Sequence, residues 1–221
     1  MKAIKVLVSA YEASGKTTIT SKIKDALVIN FDRKEYGFNV PHANFNNYEG
    51  MSSVINFINE KINKYKDHFK ALPKVVVLDT VTQLYSAMAR YNGAKYTGFN
   101  IHSQNNADTL DFNAYVEKIL IGNGISVVIV AHTTVDPDSG RHIIPASGQF
   151  SKAGSWLSVV NDALFIEKAS GKLVVHLKGF KYPTRTTLKD VEDKIAIEDF
   201  DINAYLDKLL ASKTESEKFV L

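Results

Sequence analysis

Four short runs of β-branched apolar residues constrain the fold of this chain more than any other feature: Ile4 to Ser9, Leu27 to Phe31, Val75 to Leu78 and Ser126 to Ala131. Each is apolar at nearly every position, not at alternate ones. A strand of that kind has to be covered on both faces, which is the condition of a parallel sheet between layers of helices. The segments between the runs have helical periodicity. Val54, Ile58, Ile62 and Tyr65 share a face of a helix that Ser52 or Ser53 can cap. Phe112, Val116, Ile119 and Leu120 share a face of a second helix, read as starting near Asn106 and ending at Gly122 and Gly124. Strands alternating with helices imply right-handed crossovers, so the chain is read as α/β with three layers, α/β/α.

Past residue 160 the pattern changes. Asp162 to Glu167 and Leu173 to Lys178 are strand-like and are joined by Ala169-Ser170-Gly171, a hairpin signal, so the mostly parallel sheet is expected to finish antiparallel. A last helix, capped by Asp199 or Asp201, puts Ile202, Tyr205, Leu206, Leu209 and Leu210 on one side. The expectation is one domain over residues 1–211 and a polar, frayed tail over 212–221. Two connections are longer than plain turns, Tyr91 to Asn106 and Thr133 to Ser155, and loops of that length in a compact domain usually serve function or are disordered.

The 221 residues contain 45% apolar and 23% charged residues, which excludes a disordered or coiled-coil chain. Lys and Arg number 27 against 24 Asp and Glu, a net charge of +3 that excludes a broadly basic binder of duplex DNA. With no cysteine, disulfides, zinc knuckles and thiol catalysis are excluded. The first apolar run is too short for a secretory signal, and no stretch approaches the roughly 18 apolar residues of a membrane span. The expected location is the cytoplasm, without membrane association.

The strongest chemical signal is Ala10-Tyr11-Glu12-Ala13-Ser14-Gly15-Lys16-Thr17-Thr18, directly after the first strand and before a helical stretch read over Thr17 to Lys24. It matches the phosphate-binding pattern G-x-x-x-x-G-K-[ST] except at its first glycine, here Ala10. Backbone N–H groups from Glu12 and Ala13 through Ser14 to Thr18 can turn into a concavity that favours phosphate oxygens. Lys16 would reach the β- and γ-phosphates, the Thr17 hydroxyl would ligate Mg2+, and Gly15 would admit the phosphate without a Cβ in the way. The alternative is an ordinary strand-to-helix turn with a solvated lysine. If the Ala10 position needs positive φ, alanine costs on the order of 1 kcal/mol there.

The run Val75-Val76-Val77-Leu78 ends in Asp79, as a Walker B carboxylate would, although Asp79 would also serve as the N-cap of a helix over Val81 to Tyr91. Thr80, not Glu, follows it, which argues against AAA+ and DEAD-type motors. A carboxylate to orient or deprotonate the attacking water must then come from elsewhere, and Asp32 and Glu35, just after the second strand, are both candidates. His132 ends the apolar run at Ala131, where a polar tip would face the phosphates.

On these residues the chain resembles RecA-like P-loop ATPases, and in its compactness the phage-type RecA-like nucleotide-binding and single-strand annealing proteins. The resemblance covers about residues 1–188 and is carried by Ser14-Gly15-Lys16-Thr17-Thr18, Asp32 or Glu35, Asp79, His132 and the terminal hairpin. It implies Mg2+ and ATP, DNA-stimulated hydrolysis, and single-stranded DNA as partner in annealing or strand exchange during recombination. It implies a homo-oligomer with ATP between subunits, where Lys178, Lys181 or Arg185 would reach the neighbour's γ-phosphate; exposed strand charges would explain these three equally well. It places His132 as γ-phosphate sensor, on a strand between those of Lys16 and Asp79. It also places DNA contacts on the two long connections, with Lys95, Tyr96 and Phe99 on one and Arg141, Phe150 and Lys152 on the other, where a lid or a subunit contact is the alternative. A single-strand-binding protein is a further implied partner, and for a phage-encoded chain the location is the host cytoplasm. The family's separate N-terminal oligomerisation domain is not expected, since the first strand starts near residue 3. A nucleotide-gated DNA-binding or loader module with little hydrolysis is the alternative. A small P-loop kinase ranks lower, because the second connection has only Arg141 to build a lid.

Overall fold

The computed structural model describes residues 2–32, 34–145 and 155–217. Among them the strands form one eight-stranded sheet and a separate two-stranded hairpin. The sheet strands are β1 (Lys5–Ala10), β2 (Ala26–Asn30), β3 (His42–Asn44), β4 (Val75–Asp79), β5 (Ser126–His132), β8 (Asp162–Ala169), β9 (Lys172–His176) and β10 (Lys194–Ala196); the hairpin pairs β6 (Thr134–Val135) with β7 (His142–Ile143). The helices are α1 (Lys16–Thr20), α2 (Met51–Phe69), α3 (Val81–Lys95), α4 (Phe99–Tyr115), continued by a π-helical segment Val116–Ile121, and α5 (Ile202–Glu217).

The strand order is β10-β9-β8-β1-β5-β4-β2-β3, parallel from β8 to β3 and antiparallel from β8 to β10. The continuous apolar runs have the predicted cause. Successive side chains of a strand point to opposite faces, and here both faces are covered. Leu7, Ile29, Leu78 and Ile129 face one core, shared with Val54 and Ile58 of α2, Leu84 and Met88 of α3 and Phe112 of α4. Val8, Val28, Val77 and Val130 face the other, shared with Ile19 of α1 and Ile202, Tyr205, Leu206 and Leu209 of α5. The turn joining β8 to β9 has Ser170 at φ 51 and Gly171 at φ 78, the paired left-handed residues of a tight hairpin.

Several boundaries differ from the sequence reading. The connection from Tyr91 to Asn106 is not a loop: α3 runs to Lys95, α4 begins at Phe99, and three residues join them. Its helicity is held from inside. Asp108 accepts hydrogen bonds from Asn92 Nδ2 (2.8 Å), Gln104 Nε2 (2.8 Å) and the Tyr48 hydroxyl (3.0 Å), and Asn92 also donates to Asn105 Oδ1 (2.8 Å). Ile119, assigned to the buried face, is exposed because the π-helical segment shifts the register of the last turn. The α2 N-cap is Gly50, with Ser53 one turn in, and α1 stops at Thr20, short of Lys24. Asp201, not Asp199, caps α5, accepting from the Asn203 and Ala204 amides, and α5 continues through residues 212–217, where a tail was expected. No helix among the described residues is long and apolar enough to cross a membrane.

Candidate functional site

The site lies at the carboxyl ends of β1, β5, β4 and β2, where open α/β sheets bind ligands. A cleft of about 560 Å³ opens there, lined by Glu12, Ala13, Ser14, Gly15, Lys16, Thr17, Thr18, Asp32, Lys34, Thr80, Gln83 and His132. The loop after β1 forms its floor. Two of its residues are left-handed, Ala13 at φ 54 and Gly15 at φ 80. Ala10 is not: it is the last residue of β1, so glycine's absence there carries no backbone penalty, and the strain foreseen at Ala10 sits at Ala13 instead. Gly15 has a steric reason as well. A Cβ on it would come within 3.0 Å of Leu173 Cδ1 on β9 and 3.3 Å of Ile197 Cδ1.

Lys16 is buried and folded back over the loop. Its Nζ donates to the carbonyls of Tyr11 (2.7 Å) and Ala10 (3.3 Å) and lies 3.3 Å from His132 Nδ1. Burial lowers its pKa from the usual lysine value, against the opposing charges of Asp79, Asp32 and Glu12. His132 ends β5, which stands between β1 and β4 in the sheet, so the sheet order brings it between Lys16 and Asp79. Its imidazole is pushed toward the neutral form by burial and by the Lys16 ammonium.

Asp79 is 2% exposed at the end of β4. Its Oδ2 accepts the Thr17 hydroxyl (3.0 Å), while Oδ1 is buried with no hydrogen-bond partner among the described residues. Burial raises its pKa to about 6, only partly offset by the Thr17 hydrogen bond. A buried, orphaned carboxylate oxygen next to a threonine hydroxyl is the donor set that a hard divalent cation satisfies, so Mg2+ fits Thr17 and Asp79. No group of three or more His, Asp or Glu among the described residues could hold a metal, so phosphate and water oxygens would have to supply the remaining ligands.

Asp32 reaches the cleft because Asn30 shapes the turn after β2. The Asn30 amide donates to the carbonyl of Lys34 (2.9 Å), and its Oδ1 accepts from the Asp32 N–H (3.0 Å). Asp32 Oδ1 then accepts the Thr80 hydroxyl (3.2 Å). Glu35, the other candidate, is exposed and does not line the cleft. Thr80, rather than Asp79, caps α3, accepting from the Gln83 amide, and Thr82 Oγ1 accepts the His132 N–H (3.0 Å). The first turn of α3 thus ties the ends of β4 and β5 to Asp32. Lys34 and Gln83 line the cleft without having been singled out in the sequence, and Thr80, noted there only as the non-acidic residue after Asp79, lines it too; for Gln83, its place one turn after the β4 acid was the available signal.

The remaining candidates lie outside this cleft. Lys178 Nζ donates to the carbonyls of Lys189 (3.1 Å) and Val191 (2.8 Å); Lys181 sits 3.7 Å from Glu167 Oε1; Arg185 pairs through its backbone with Ala163. Lys95 ends α3 with its ammonium over the Tyr91 and Tyr96 rings, Phe99 opens α4 at 81% exposure, and Arg141 lies on the turn between β6 and β7. Phe150 and Lys152 fall outside the described residues.

A family model described as an AAA domain matches residues 2–145 of the chain, about two thirds of it. The chain belongs to this AAA domain family and is a P-loop ATPase-type, nucleotide-binding domain. This corrects the inference drawn from Thr80: membership in a family so described does not require an acid directly after Asp79. Comparison with curated proteins finds no match to the chain.

Proposed function

We propose that the protein is a RecA-like Mg2+-dependent ATPase that binds single-stranded DNA and promotes annealing or strand exchange, working as a homo-oligomer with ATP at subunit interfaces. The observation that carries the nucleotide half is the convergence of Lys16, Thr17, Asp32 and His132 on one cleft, with the buried Asp79 hydrogen-bonded to Thr17. Lys16 would exchange its contacts with the Ala10 and Tyr11 carbonyls for β- and γ-phosphate oxygens, and the loop amides would hold the rest of the phosphate chain. Mg2+ held by Thr17 and Asp79 would neutralise charge on the phosphates. Asp32, already an acceptor for the Thr80 hydroxyl, is placed to orient a water and take its proton on a carboxylate oxygen, and His132 to donate to the γ-phosphate.

The DNA half draws support from Lys95, the half-buried Tyr96 and the exposed Phe99, which put a cation and aromatic rings together at the α3–α4 junction, and from Arg141 on the β6–β7 hairpin. Lys178, Lys181 and Arg185 lie outside the chain's own cleft, as residues serving a neighbour's nucleotide would. On this reading the protein acts in recombination, with a single-strand-binding protein as a further partner. ATP turnover measured with and without single-stranded DNA, for wild type and Lys16→Ala, tests the reading. DNA-stimulated turnover that the variant loses is the expected result. DNA binding without turnover would favour a nucleotide-gated loader, and turnover indifferent to DNA would contradict both.

A further inference from the structure

A second cavity lies beside the nucleotide cleft, and its lining is of a different kind. It opens between α3 and the segment that follows β3, with a volume of about 300 Å³. The α3 side chains that line it, from Gln83 through Ala87, Arg90 and Tyr91 to Ala94, recur at three- and four-residue steps, a stripe of one helix face roughly 16 Å long. The aromatic residues Phe31, Phe45, Tyr48 and Tyr91 line it as well, and their rings are held in place. Phe31 and Phe45 meet edge to face at 5.8 Å between centroids, and Tyr48 and Tyr91 at 5.5 Å. The Tyr48 hydroxyl is anchored on Asp108 (3.0 Å).

The polar groups of the lining add a charge and a set of amides. Arg90 is its one charged residue and it holds no carboxylate, whereas the nucleotide cleft sets Glu12 and Asp32 against Lys16 and Lys34. Arg90 is exposed and makes no ion pair among the described residues, and the side-chain amides of Asn46 and Gln83 make no hydrogen bond among them. A nucleotide answers each part: a π-face for the rings, donors and acceptors along the base edge for the amides, and a phosphate for the guanidinium. A cavity of about 150 Å³ takes a benzene ring, so this one has room for a one- or two-ring base. Its place favours a strand over a free nucleotide. One end borders the cleft, because Gln83 lines both and Phe31 directly precedes Asp32. The other end, at Ala94, adjoins Lys95 and Tyr96 at the α3–α4 junction, so a chain of nucleotides can continue out of the cavity onto a cation and an aromatic ring.

We propose that this cavity takes a base of a single DNA strand, with the base ring against Phe45, Tyr48 and Tyr91, its edge toward Asn46 and Gln83, and an adjoining phosphate on Arg90. The proposal rests on the strand-binding reading given above and deepens it: the strand gains a built site beside the nucleotide, in addition to the surface contacts at the α3–α4 junction.

Fluorescence anisotropy of labelled oligo(dT) with the full chain in Mg-ATP, over a range of salt, tests this for wild type and two variants. Ser86→Trp fills the cavity from its exposed rim and should lower affinity about tenfold or more, with the salt dependence unchanged. Arg90→Gln should lower affinity and also reduce the slope of log affinity against log salt by about 0.7, the share of one single-strand phosphate. Mg-ATP affinity equal to that of wild type shows that each variant is folded. Irradiating the wild-type complex with an oligonucleotide that carries iodouracil should cross-link it to Phe45, Tyr48 or Tyr91. Wild type that does not bind oligo(dT) overturns the strand-binding reading together with this site. Wild type that binds while either variant binds just as tightly, or cross-links that fall only outside the cavity, overturn the site and leave that reading standing. Thymidine monophosphate that competes as well as the oligonucleotide does assigns the cavity to a free nucleotide and overturns the strand.

Discussion

Ala13 and Gly15 both adopt the left-handed backbone in the phosphate loop, but only one of them is suited to it. Glycine reaches φ 80 at no steric cost, whereas alanine at φ 54 is strained by about 1 kcal/mol. The two positions should therefore respond to substitution in opposite directions. Ala13→Gly is expected to keep or raise stability, by up to about 1 kcal/mol in urea unfolding. Gly15→Ala is expected to cost about 1–3 kcal/mol, because the added Cβ meets Leu173 and Ile197 as well as an unfavourable φ. The sequence pattern G-x-x-x-x-G-K-[ST] marked Gly15, Lys16 and Thr17 correctly by type, yet it misdirected attention to Ala10. Whether a glycine is needed at a position depends on the local φ, and a motif records residue types, not dihedrals.

At the scale of elements, the four buried strands were legible because continuous apolar runs have few other uses in a chain of this composition. The α3–α4 junction was not, for a physical reason. The inward positions of these helices include Asn92, Asn105, Asp108 and Thr109, all buried, so the apolar stripe that marks a helix is interrupted where the two helices touch. Polar residues there satisfy one another, Asp108 alone receiving three donors from three segments. A sequence reader counts such residues as loop; in the fold they are a buried network. Removing its centre with Asp108→Ala strands the Tyr48, Asn92 and Gln104 donors and should cost about 2–4 kcal/mol of stability, measured by urea unfolding. A loss below about 0.5 kcal/mol would mean that the network does not hold the junction.

For the molecule as a whole, the sheet order does what no local motif can. Lys16, His132, Asp79 and Asp32 come from segments spread over more than a hundred residues, and adjacency of β1, β5, β4 and β2 gathers their ends at one edge. The types and order of these residues were readable from the sequence; their convergence was expected only through the resemblance to a family, and Gln83 and Thr80 entered the site through the first turn of α3. Placing α1 and α5 on one face and α2, α3 and α4 on the other leaves that edge open. The central claim is that this edge binds a magnesium–nucleotide complex through Lys16. Its most direct test is titration of a fluorescent ATP analogue into wild type and Lys16→Ala, with Mg2+ and with chelator. Affinity that falls about 100-fold or more in the variant, and falls in wild type when the metal is removed, is the predicted result; equal affinity in both proteins, with or without metal, would contradict it.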